Sequence, residues 1–262
     1  MNIEKVIEIV KSAKPLFMDR DNSQKVDEKG AADYVTAVDF AVQNYLQEKL
    51  KEAYPEVQFM GEEKDNSDID FSGKVWILDP VDGTTNLIHD FHGSAISFAY
   101  AENKEVKLGV IYIPTSDELF YAEKGKGAFL NGNKIHVSGV KDMAHSLISI
   151  GPAPYTKEWA ELSFEMYLKI YKDSQDFRRI GSAAIELAYV ACGRIEAYIE
   201  PALNPWDFAA GLLIIEEAGG SVVTLDGEKV DITKRSSICS SNGPVGEILV
   251  GNYLPPSKTF RL

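Results

Sequence analysis

The stretch Val75-Trp76-Ile77-Leu78-Asp79-Pro80-Val81-Asp82-Gly83-Thr84-Thr85 decides the fold of this chain. Its apolar, β-branched and aromatic beginning is typical of a buried strand. We expect that strand to stop at Pro80, because proline has no backbone N–H donor. Asp79 and Asp82 then lie at a strand end, which is where α/β proteins usually bind ligands.

The turn that follows the second aspartate is predicted to begin a helix. Gly83 lets the backbone approach closely, and Thr84 and Thr85 are good helix-starting residues. Free N–H groups at a helix start attract an anion such as phosphate. Two carboxylates beside an anion site would repel the ligand unless cations lie between them. The stretch therefore indicates a divalent metal and a phosphate bound together.

Length, charge and cysteine content exclude several classes of protein. A chain of 262 residues buries a sizeable core, as one large domain or as two of about 120–140 residues. Its formal net charge of −13 argues against nucleic acid, whose phosphates need a basic surface. No apolar run approaches the roughly 18 residues of a membrane span, and no signal peptide is recognisable. Two cysteines, neither in a CxxC spacing, lead us to expect a reduced, cytoplasmic protein.

Hydrophobic periodicity predicts helices and an antiparallel sheet in the first half of the chain. Apolar residues recur at helical spacing near the N-terminus and again over residues 39–50. The polar residues 19–33 between them are predicted to form an exposed, mobile loop. Short strands are expected at residues 57–60, 95–101, 107–113 and 118–123, and Asn131-Gly132-Asn133 is a hairpin signal.

Beyond residue 140 the pattern changes to alternating strands and helices. We therefore expect an α+β half over residues 1–140 and an α/β half over residues 141–262. The strands predicted in the later half are residues 146–150, 197–200, 221–225 and 237–240, and the helices are residues 156–171, 181–192, 206–218 and 245–252.

Further carboxylates fall at the ends of predicted elements. Asp39 and Asp207 open helices, Glu62 and Glu63 follow a short strand and a glycine, and Glu200 ends a strand. An aspartate at a helix start commonly caps free N–H groups, which stabilises the helix by about 1 kcal/mol. Capping is therefore the favoured role for either aspartate considered alone. All these side chains offer oxygen, which suits a hard cation such as Mg²⁺ rather than Zn²⁺.

In its motifs the chain resembles the inositol monophosphatase family of lithium-sensitive, Mg²⁺-dependent phosphatases. The matching segments are residues 61–63, 76–86, 206–211 and 217–220, with weaker matches at residues 34–39 and 181–184. They occur in the family's order and cover about residues 1–250. The resemblance implies an α+β fold, a layered αβαβα sandwich of the inositol monophosphatase, fructose-1,6-bisphosphatase and sugar phosphatase type. It also implies a homodimer.

The resemblance further implies a role for each site residue. The metal ligands would be Glu62, Asp79, the Val81 carbonyl, Asp82 and Asp207, binding two or three Mg²⁺ ions that Mn²⁺ can replace. The catalytic residues would be Asp39 and Thr84, which hold a water, and Glu62, which acts as a base through Thr84. The substrate would contact Gly83, Thr84, Gly181, Ser182, Ala183, Glu200 and Asp207.

The sequence leaves two possible roles open for each of two pairs of basic residues outside these motifs. Arg178 and Arg179 either contact a second substrate phosphate or lie on a solvated helix edge. Lys25 and Lys29 lie in the predicted loop, which either closes over the site, as the family's loop does, or is merely solvated.

Two further motifs imitate ligand sites. His89-Asp90-Phe91-His92 looks like a pair of metal ligands, but relatives that carry a histidine there do not use it as one. Gly125-Lys126-Gly127 lacks the longer spacing of a phosphate-binding loop, so we expect a turn between strands.

The sequence thus predicts a Mg²⁺-dependent phosphomonoesterase that hydrolyses inositol 1-phosphate by metal-activated water. Relatives that prefer fructose 1,6-bisphosphate often carry arginine at the position of Glu200 or nearby; its absence here favours a neutral polyol, while Arg178 and Arg179 keep the bisphosphate as a second substrate. Alternatives are a primary fructose-1,6-bisphosphatase, a 3′-nucleotide phosphatase and a histidinol phosphatase. A non-catalytic metal-binding regulator would have lost a ligand, and the predicted ligand set is complete. The expected partner is a small sugar or polyol phosphate, not nucleic acid or a membrane.

Overall fold

The structure, a computed structural model, describes residues 1–30 and 33–260 as helices arranged around two sheets. The α-helices are α1 (Ile3–Ser12), α2 (Lys14–Phe17), α3 (Arg20–Ser23), α4 (Ala37–Ala53), α5 (Thr84–Ile88), α6 (Ala160–Asp173), α7 (Ala183–Ala191), α8 (Pro205–Glu217) and α9 (Pro244–Asn252). Short 3₁₀ helices occupy Lys157–Trp159 and Ser257–Phe260. Within the described ranges, every helix is too short or too polar to cross a membrane.

The first half of the chain contains a hairpin and a seven-stranded sheet. The hairpin consists of β1 (Val26–Gly30) and β2 (Asp33–Thr36). The sheet consists, in spatial order, of β3 (Gln58–Gly61), β4 (Lys74–Asp82), β5 (Ala95–Glu102), β6 (Glu105–Ile113), β7 (Glu118–Glu123), β8 (Ala128–Leu130) and β9 (Asn133–Ile135). Strands β3 and β4 are parallel, and every later pair is antiparallel as predicted. The predicted hairpin at Asn131-Gly132 joins β8 to β9.

Strand β4 does not stop at Pro80, as the sequence predicted, but continues to Asp82. Asp79 pairs with Ser97 and Asp82 with Ala95 on β5, so β4 has one extra residue between these pairs. Such a β-bulge leaves a residue unpaired, which lets a central strand accommodate a proline without an N–H group. Residues three apart in a regular strand face opposite sides of a sheet, and the bulge re-aims one of the two aspartates.

The later half of the chain forms a mixed, five-stranded sheet. Its strands are β10 (Leu147–Ile150), β11 (Asp176–Arg178), β12 (Ala197–Leu203), β13 (Ser221–Val223) and β14 (Ser236–Ser241), in the spatial order β11-β10-β12-β14-β13. Strand β10 is parallel to β11 and β12, whereas β14 is antiparallel to β12 and β13. The sequence did not predict β11, because its single apolar residue stands between two charged ones.

Helices cover both faces of the larger sheet and the outer face of the smaller one. On the first face, Val10 of α1 and Leu46 of α4 share a buried cluster with Phe98. Helices α7 and α8 lie between the two sheets, where Leu187 and Phe208 belong to the central cluster. Helices α6 and α9 pack on the far side of the smaller sheet. This order of layers confirms the predicted αβαβα sandwich.

Helix α8 lies close against the larger sheet, and this contact carries Asp207 to the end of β4. A Cβ atom at Gly109 on β6 would lie only 2.6 Å from the carbonyl oxygen of Ala210, so glycine is needed there. The Ser97 hydroxyl donates to the Trp206 carbonyl at 2.9 Å and fixes the start of the helix. The sheets fall on either side of residue 140, yet α7 and α8 pack on the larger one. The division into two halves at that point stays a prediction.

The prediction of a loop over residues 19–33 is wrong for the residues that the structure describes. They form α3 and the β1 strand of the hairpin. Residues 31 and 32 lie outside the described residues. The side chains of β1 are all exposed, and its sequence Val-Asp-Glu-Lys-Gly lacks the apolar alternation that predicts a strand.

Candidate active site

Three aspartates from two elements meet at the bulge of β4. Asp79 and Asp82 come from the bulge itself, and Asp207 comes from the first turn of α8. One carboxylate oxygen of each lies within 4.8 Å of the others. Glu62 directly follows β3, the parallel neighbour of β4, and its carboxyl group shares a hydrogen bond with Asp79. Four carboxyl groups are thereby gathered at one edge of the larger sheet.

Each aspartate is held by its own backbone surroundings. Asp79 Oδ1 accepts the N–H group of Val81 at 2.9 Å. Asp82 Oδ2 accepts the N–H group of Ala184 at 2.6 Å and also the Ser182 hydroxyl. Because one oxygen of each carboxylate is fixed by the protein, the side chains are orientated before any ligand binds.

Burial and mutual repulsion disfavour the charged form of these carboxylates. Burial first, and then the charges of Glu62, Asp82 and Asp207, raise the pKa of Asp79 well above its ordinary value. Burial and the charges of Asp82 and Glu62 likewise raise the pKa of Asp207. Burial raises the pKa of Asp82 to about 6 and that of Glu62 to about 7. A hard divalent cation would remove this repulsion, and a set of oxygen donors is what such a cation prefers. The residues present therefore fit a metal site.

Asp39 caps a helix and also contacts Thr84. Its Oδ2 accepts the backbone N–H of Thr36 at 2.9 Å, in a capping box at the start of α4. Its Oδ1 lies 3.1 Å from the Thr84 hydroxyl, which is also 3.0 Å from the Val81 carbonyl oxygen. Asp39 is the third residue of its helix, and Thr36 is the N-cap. One oxygen therefore caps the helix while the other faces the site.

Asp207 has the same double arrangement at the start of α8. Its Oδ2 accepts the N–H group of Asn204 at 2.7 Å, and Asn204 is the N-cap. One oxygen of the same carboxylate belongs to the cluster with Asp79 and Asp82. Capping and ligand roles are thus compatible, because a carboxylate has two oxygens.

Gly83 connects the bulge to α5 in a backbone conformation that favours glycine. Its φ angle is +91°, and a Cβ atom there would lie 3.0 Å from the Gly93 carbonyl oxygen and 3.2 Å from that of Gly181. Asn86 ties the same region together, since its side-chain amide donates to the carbonyls of Gly93 at 2.7 Å and Ile180 at 2.9 Å. The turn after the two aspartates is therefore packed directly against the residues before α7.

A cavity of about 280 Å³ opens beside the aspartate cluster. The predicted substrate-binding residues that line it are Gly83, Thr84, Arg179, Gly181, Ser182, Ala183, Glu200 and Asp207. Glu200 is buried in its wall, where Oε1 accepts the Ala153 amide at 3.0 Å and Oε2 accepts the Tyr198 hydroxyl. Burial raises the pKa of Glu200 to about 7, although both hydrogen bonds lower it.

The two arginines before this turn point to different places. Arg179 lines the cavity, and its Nη1 lies 3.6 Å from where a Cβ atom on Gly181 would be. Arg178 instead pairs with Asp176 at 2.7 Å and donates to the Phe177 carbonyl at 2.6 Å. Both side chains are exposed, so the solvated alternative stays open for both, and Arg179 is the one of the pair that lines the cavity.

The β1–β2 hairpin reaches the cluster through one lysine. Lys29 Nζ lies 3.4 Å from Glu62 Oε1 and 2.5 Å from Glu63 Oε1. Its charge lowers the pKa of Glu62, in opposition to burial. Lys25, by contrast, donates to Asn22 Oδ1 at 2.7 Å.

The sequence analysis missed a second buried carboxylate in the cavity wall. Glu186 is 1% exposed, and its Oε1 accepts the amides of Ile180 at 2.6 Å and Gly181 at 3.3 Å. Burial raises its pKa to about 8, against the two backbone hydrogen bonds. A single glutamate inside the apolar run of α7 was a signal that could have revealed it. Tyr198, Lys157 and Arg235 also line the cavity unpredicted.

The motifs at residues 89–92 and 125–127 do not line this cavity, and both make hydrogen bonds within the protein. His92 Nε2 is 3.2 Å from Asp90 Oδ1, and His89 follows the last turn of α5. The amides of Gly125 and Gly127 both donate to the Glu217 carboxylate, each at 2.7 Å. The glycine turn therefore binds the end of α8.

The chain is similar over nearly its full length to known phosphatases. It matches the model of the inositol monophosphatase family over residues 2–251. An inositol monophosphatase of Dictyostelium discoideum is 38% identical over 253 residues, which cover 94% of this chain and 93% of that protein. A fructose-1,6-bisphosphatase/inositol-1-monophosphatase of Thermotoga maritima is 35% identical over 230 residues, covering 88% and 85%.

Solved structures agree with these sequence matches. The inositol monophosphatase-II of Staphylococcus aureus, with inositol monophosphate bound, superposes with a TM-score of 0.85 at 30% identity and covers 98% of this chain and 96% of that one. The same protein with 2′-AMP bound gives a TM-score of 0.85 at 32% identity, covering 97% and 93%. The chain belongs to the inositol monophosphatase family, which is metal-dependent, and it is a phosphoric monoester hydrolase. The predicted family, fold class and enzyme class are confirmed.

Proposed function

We propose that this protein hydrolyses inositol 1-phosphate to inositol and phosphate, with Mg²⁺ as its metal and Mn²⁺ as a substitute. The observation that carries the proposal is the meeting of Asp79, Asp82 and Asp207 within 4.8 Å, at the edge of a cavity whose wall holds a buried Glu200. One part of this arrangement suits a metal-bound phosphate, and the other suits the hydroxyl groups of a polyol.

The metal ligands in this proposal are Glu62, Asp79, the Val81 carbonyl, Asp82 and Asp207, holding two or three ions. All five are oxygen donors, which supports Mg²⁺ over a softer metal. When bound, the ions neutralise phosphate charge and lower the pKa of a nearby water.

The protein's own groups would position the attacking water and receive its proton. The Thr84 hydroxyl lies between Asp39 Oδ1 and the Val81 carbonyl oxygen, at 3.1 and 3.0 Å. The hydroxyl has one proton, so it donates to only one of these two acceptors at a time. Its oxygen can accept a hydrogen bond from a water at the same time. Glu62 would take up the proton through Thr84, the role that the family resemblance implies for it.

The substrate would lie along the cavity with its phosphate at the turn formed by Gly83 and Thr84. Glu200 would accept hydrogen bonds from polyol hydroxyls, and Gly181, Ser182 and Ala183 would form the facing wall. The inositol monophosphate and 2′-AMP bound to the staphylococcal relative support small phosphate esters as the substrate class.

A second candidate function is that of a fructose-1,6-bisphosphatase. It is favoured by Arg179 in the cavity and by the double name of the Thermotoga relative. Nucleotide 3′-phosphates and histidinol phosphate are further alternatives. A comparison of kcat/KM for inositol 1-phosphate, fructose 1,6-bisphosphate, a 3′-nucleotide and histidinol phosphate separates the four. A preference for the bisphosphate of more than about tenfold, or 1.4 kcal/mol, would reverse the proposed order.

The same proposal includes a cytoplasmic homodimer. Free thiols at Cys192 and Cys239 support a reducing compartment. Sedimentation velocity at micromolar protein concentration tests the dimer directly.

A further inference from the structure

Glu62, one of the proposed metal ligands, lies just outside the regular structure of the larger sheet. Strand β3 ends at Gly61, and Glu62 and Glu63 belong to the turn that follows it. The Glu62 amide donates to the Leu78 carbonyl of β4 at 3.1 Å, and the pairing of β3 with β4 ends at Gly61. A carboxylate in a turn needs further contacts to keep a fixed direction, because loops are usually more mobile than the strands they connect.

One buried side chain of α4 pairs with the backbone of Glu63. Gln43 Oε1 accepts the Glu63 amide at 3.0 Å, and Gln43 Nε2 donates to the Glu63 carbonyl at 3.0 Å. Gln43 is 2% exposed, so its carboxamide has little access to water as another partner. A carboxamide that accepts from and donates to one residue makes the same two bonds as a neighbouring strand. Gln43 thereby fixes the peptide group that follows Glu62.

A second carboxamide pairs in the same way with the residue before Glu62. Asn66 Oδ1 accepts the Gly61 amide at 3.2 Å, and Asn66 Nδ2 donates to the Gly61 carbonyl at 2.8 Å. That carbonyl belongs to the peptide group that precedes Glu62. Both peptide groups next to Glu62 are therefore held by side chains, and its own amide is held by β4.

The close approach of Gln43 also accounts for the glycine that precedes the two glutamates. A Cβ atom at Gly61 would collide with Gln43 Oε1 and would lie 2.9 Å from Gln43 Cδ. Gln43 Oε1 is the atom that accepts the Glu63 amide, so a side chain at position 61 would displace this contact. Glycine is therefore required for the pairing between Gln43 and Glu63.

We propose that Gln43 and Asn66 are positioning residues for Glu62, a pair that we call the carboxamide clamp. By holding the peptide groups on either side of Glu62, the clamp directs its carboxyl group to Asp79, with which it shares a hydrogen bond. The inference rests on the proposed function, in which Glu62 is a metal ligand, and extends it to residues outside the site. Groups that orientate a metal ligand commonly contribute about 10- to 100-fold to metal affinity.

Gln43→Leu tests the clamp, because leucine is of similar size and has no hydrogen-bonding group. We measure the Kd for Mg²⁺ without substrate, from the rise of Tm with Mg²⁺ concentration relative to each variant's own metal-free Tm. A general loss of stability is thereby separated from a loss of metal affinity. We expect the Kd of Gln43→Leu to rise about tenfold or more, with KM for inositol 1-phosphate at saturating Mg²⁺ little changed.

Two further variants accompany this measurement. Asn66→Ala changes a half-buried residue, so it serves if the buried substitution prevents folding, and its Kd should rise several-fold. Gln47→Leu is the matched control, because it makes the same substitution one turn farther along α4 and outside the clamp. Its Kd for Mg²⁺ should equal that of the wild type.

A double-variant cycle with Glu62→Gln shows whether Gln43 acts through Glu62. Glu62→Gln alone should raise the Kd for Mg²⁺ about tenfold or more, and adding Gln43→Leu should cause little further loss. The full separate loss in the double variant would overturn the clamp, as would a wild-type Kd in both folded Gln43→Leu and Asn66→Ala. A wild-type Kd in Glu62→Gln would overturn the ligand role of Glu62 and the clamp with it. If these affinities change as expected but no phosphate is released from inositol 1-phosphate, the clamp is supported and the proposed function alone fails.

Discussion

The backbone amide of Ala184 donates a hydrogen bond of 2.6 Å to Asp82 Oδ2, and this contact joins the two halves of the chain at the carboxylate cluster. Asp82 belongs to β4 of the larger sheet, and Ala184 lies in the first turn of α7. The Ser182 hydroxyl reaches the same oxygen. The orientation of a proposed metal ligand in the first half therefore depends on a helix start in the second.

Replacing Ser182 tests whether this contact prepares the metal site. Ser182→Ala removes one donor to Asp82, and we expect the Mg²⁺ concentration for half-maximal activity to rise about tenfold, as for other groups that orientate a ligand. Ser182 also caps α7 by accepting the Ile185 amide, so a loss of about 1 kcal/mol in stability should accompany the change. Ser182→Thr keeps the hydroxyl and should restore most of the affinity. An unchanged Mg²⁺ dependence in Ser182→Ala, measured by activity titration, contradicts this role.

Removing the Thr84 hydroxyl tests the proposed positioning of water. Because this hydroxyl stands between Asp39 and the Val81 carbonyl, Thr84→Ala should lower kcat by about 10²- to 10³-fold with little change in KM. Thr84→Ser retains the hydroxyl and serves as the control, with kcat within about tenfold of the wild type. Steady-state kinetics on inositol 1-phosphate provide both values. If Thr84→Ala kept kcat within threefold, the hydroxyl would have no part in the chemistry.

The sequence predicts the layers of this fold well, because long apolar runs and helical periodicity are local signals. Strand β4 was recognised from Val75 to Leu78, and the strand β7 was placed at its observed bounds. The continuation through Pro80 was missed, since a bulge depends on the register of the partner strand, which one segment does not contain. The β1–β2 hairpin was missed because the sequence of β1, Val-Asp-Glu-Lys-Gly, lacks the apolar alternation that predicts a strand.

The site was harder to predict where a side chain's direction decides its role. For Asp39 and Asp207 considered alone the sequence favoured capping, whereas each carboxylate both caps its helix and lies at the candidate site. Arg178 and Arg179 were treated as a pair, but consecutive residues at the end of a strand point to opposite sides. Because β11 was not predicted, the sequence did not indicate that these two side chains point in different directions.

The burial of Asp82 and Glu62, with the neighbouring carboxylate charges adding to it at Glu62, predicts how stability without metal depends on pH. Asp82 and Glu62 have pKa values of about 6 and about 7, above their ordinary values near 4. Between pH 4 and 7 the folded state therefore binds more protons than the unfolded state, and the free energy of unfolding falls as pH rises. In a chelator, we expect Tm to be lower at pH 8 than at pH 5.5 by roughly 5 °C or more. Thermal unfolding followed by circular dichroism measures this.

Metal and charge removal provide the controls for that measurement. Added Mg²⁺ should raise Tm more at pH 8 than at pH 5.5, because the carboxylates must be ionised to bind it. Asp82→Asn should make the metal-free Tm less dependent on pH. A metal-free Tm that increases from pH 5.5 to pH 8 would show that the folded protein does not raise the pKa values of these carboxylates.

Glu186 is predicted to hold the turn before α7 in place. Glu186→Leu leaves the amides of Ile180 and Gly181 without their buried acceptor, which should cost about 1–3 kcal/mol and raise KM for inositol 1-phosphate several-fold. Glu186→Gln keeps an acceptor oxygen and should retain the wild-type KM. Since the pKa of Glu186 is about 8, the glutamine variant should also be at least as stable as the wild type at pH 8.5. Similar KM values for the leucine and wild-type proteins would rule out a positioning role.

The most direct test of the whole account is metal-dependent phosphate release from inositol 1-phosphate by the wild type, Asp82→Asn and Asp207→Asn. Both substitutions keep the side-chain volume and remove the negative charge from the cluster. The account predicts release by the wild type only when Mg²⁺ or Mn²⁺ is added, and a loss of at least about 10²-fold in kcat/KM in each variant. Phosphate release that persists in a chelator, or a loss of less than tenfold in both folded variants, would contradict it.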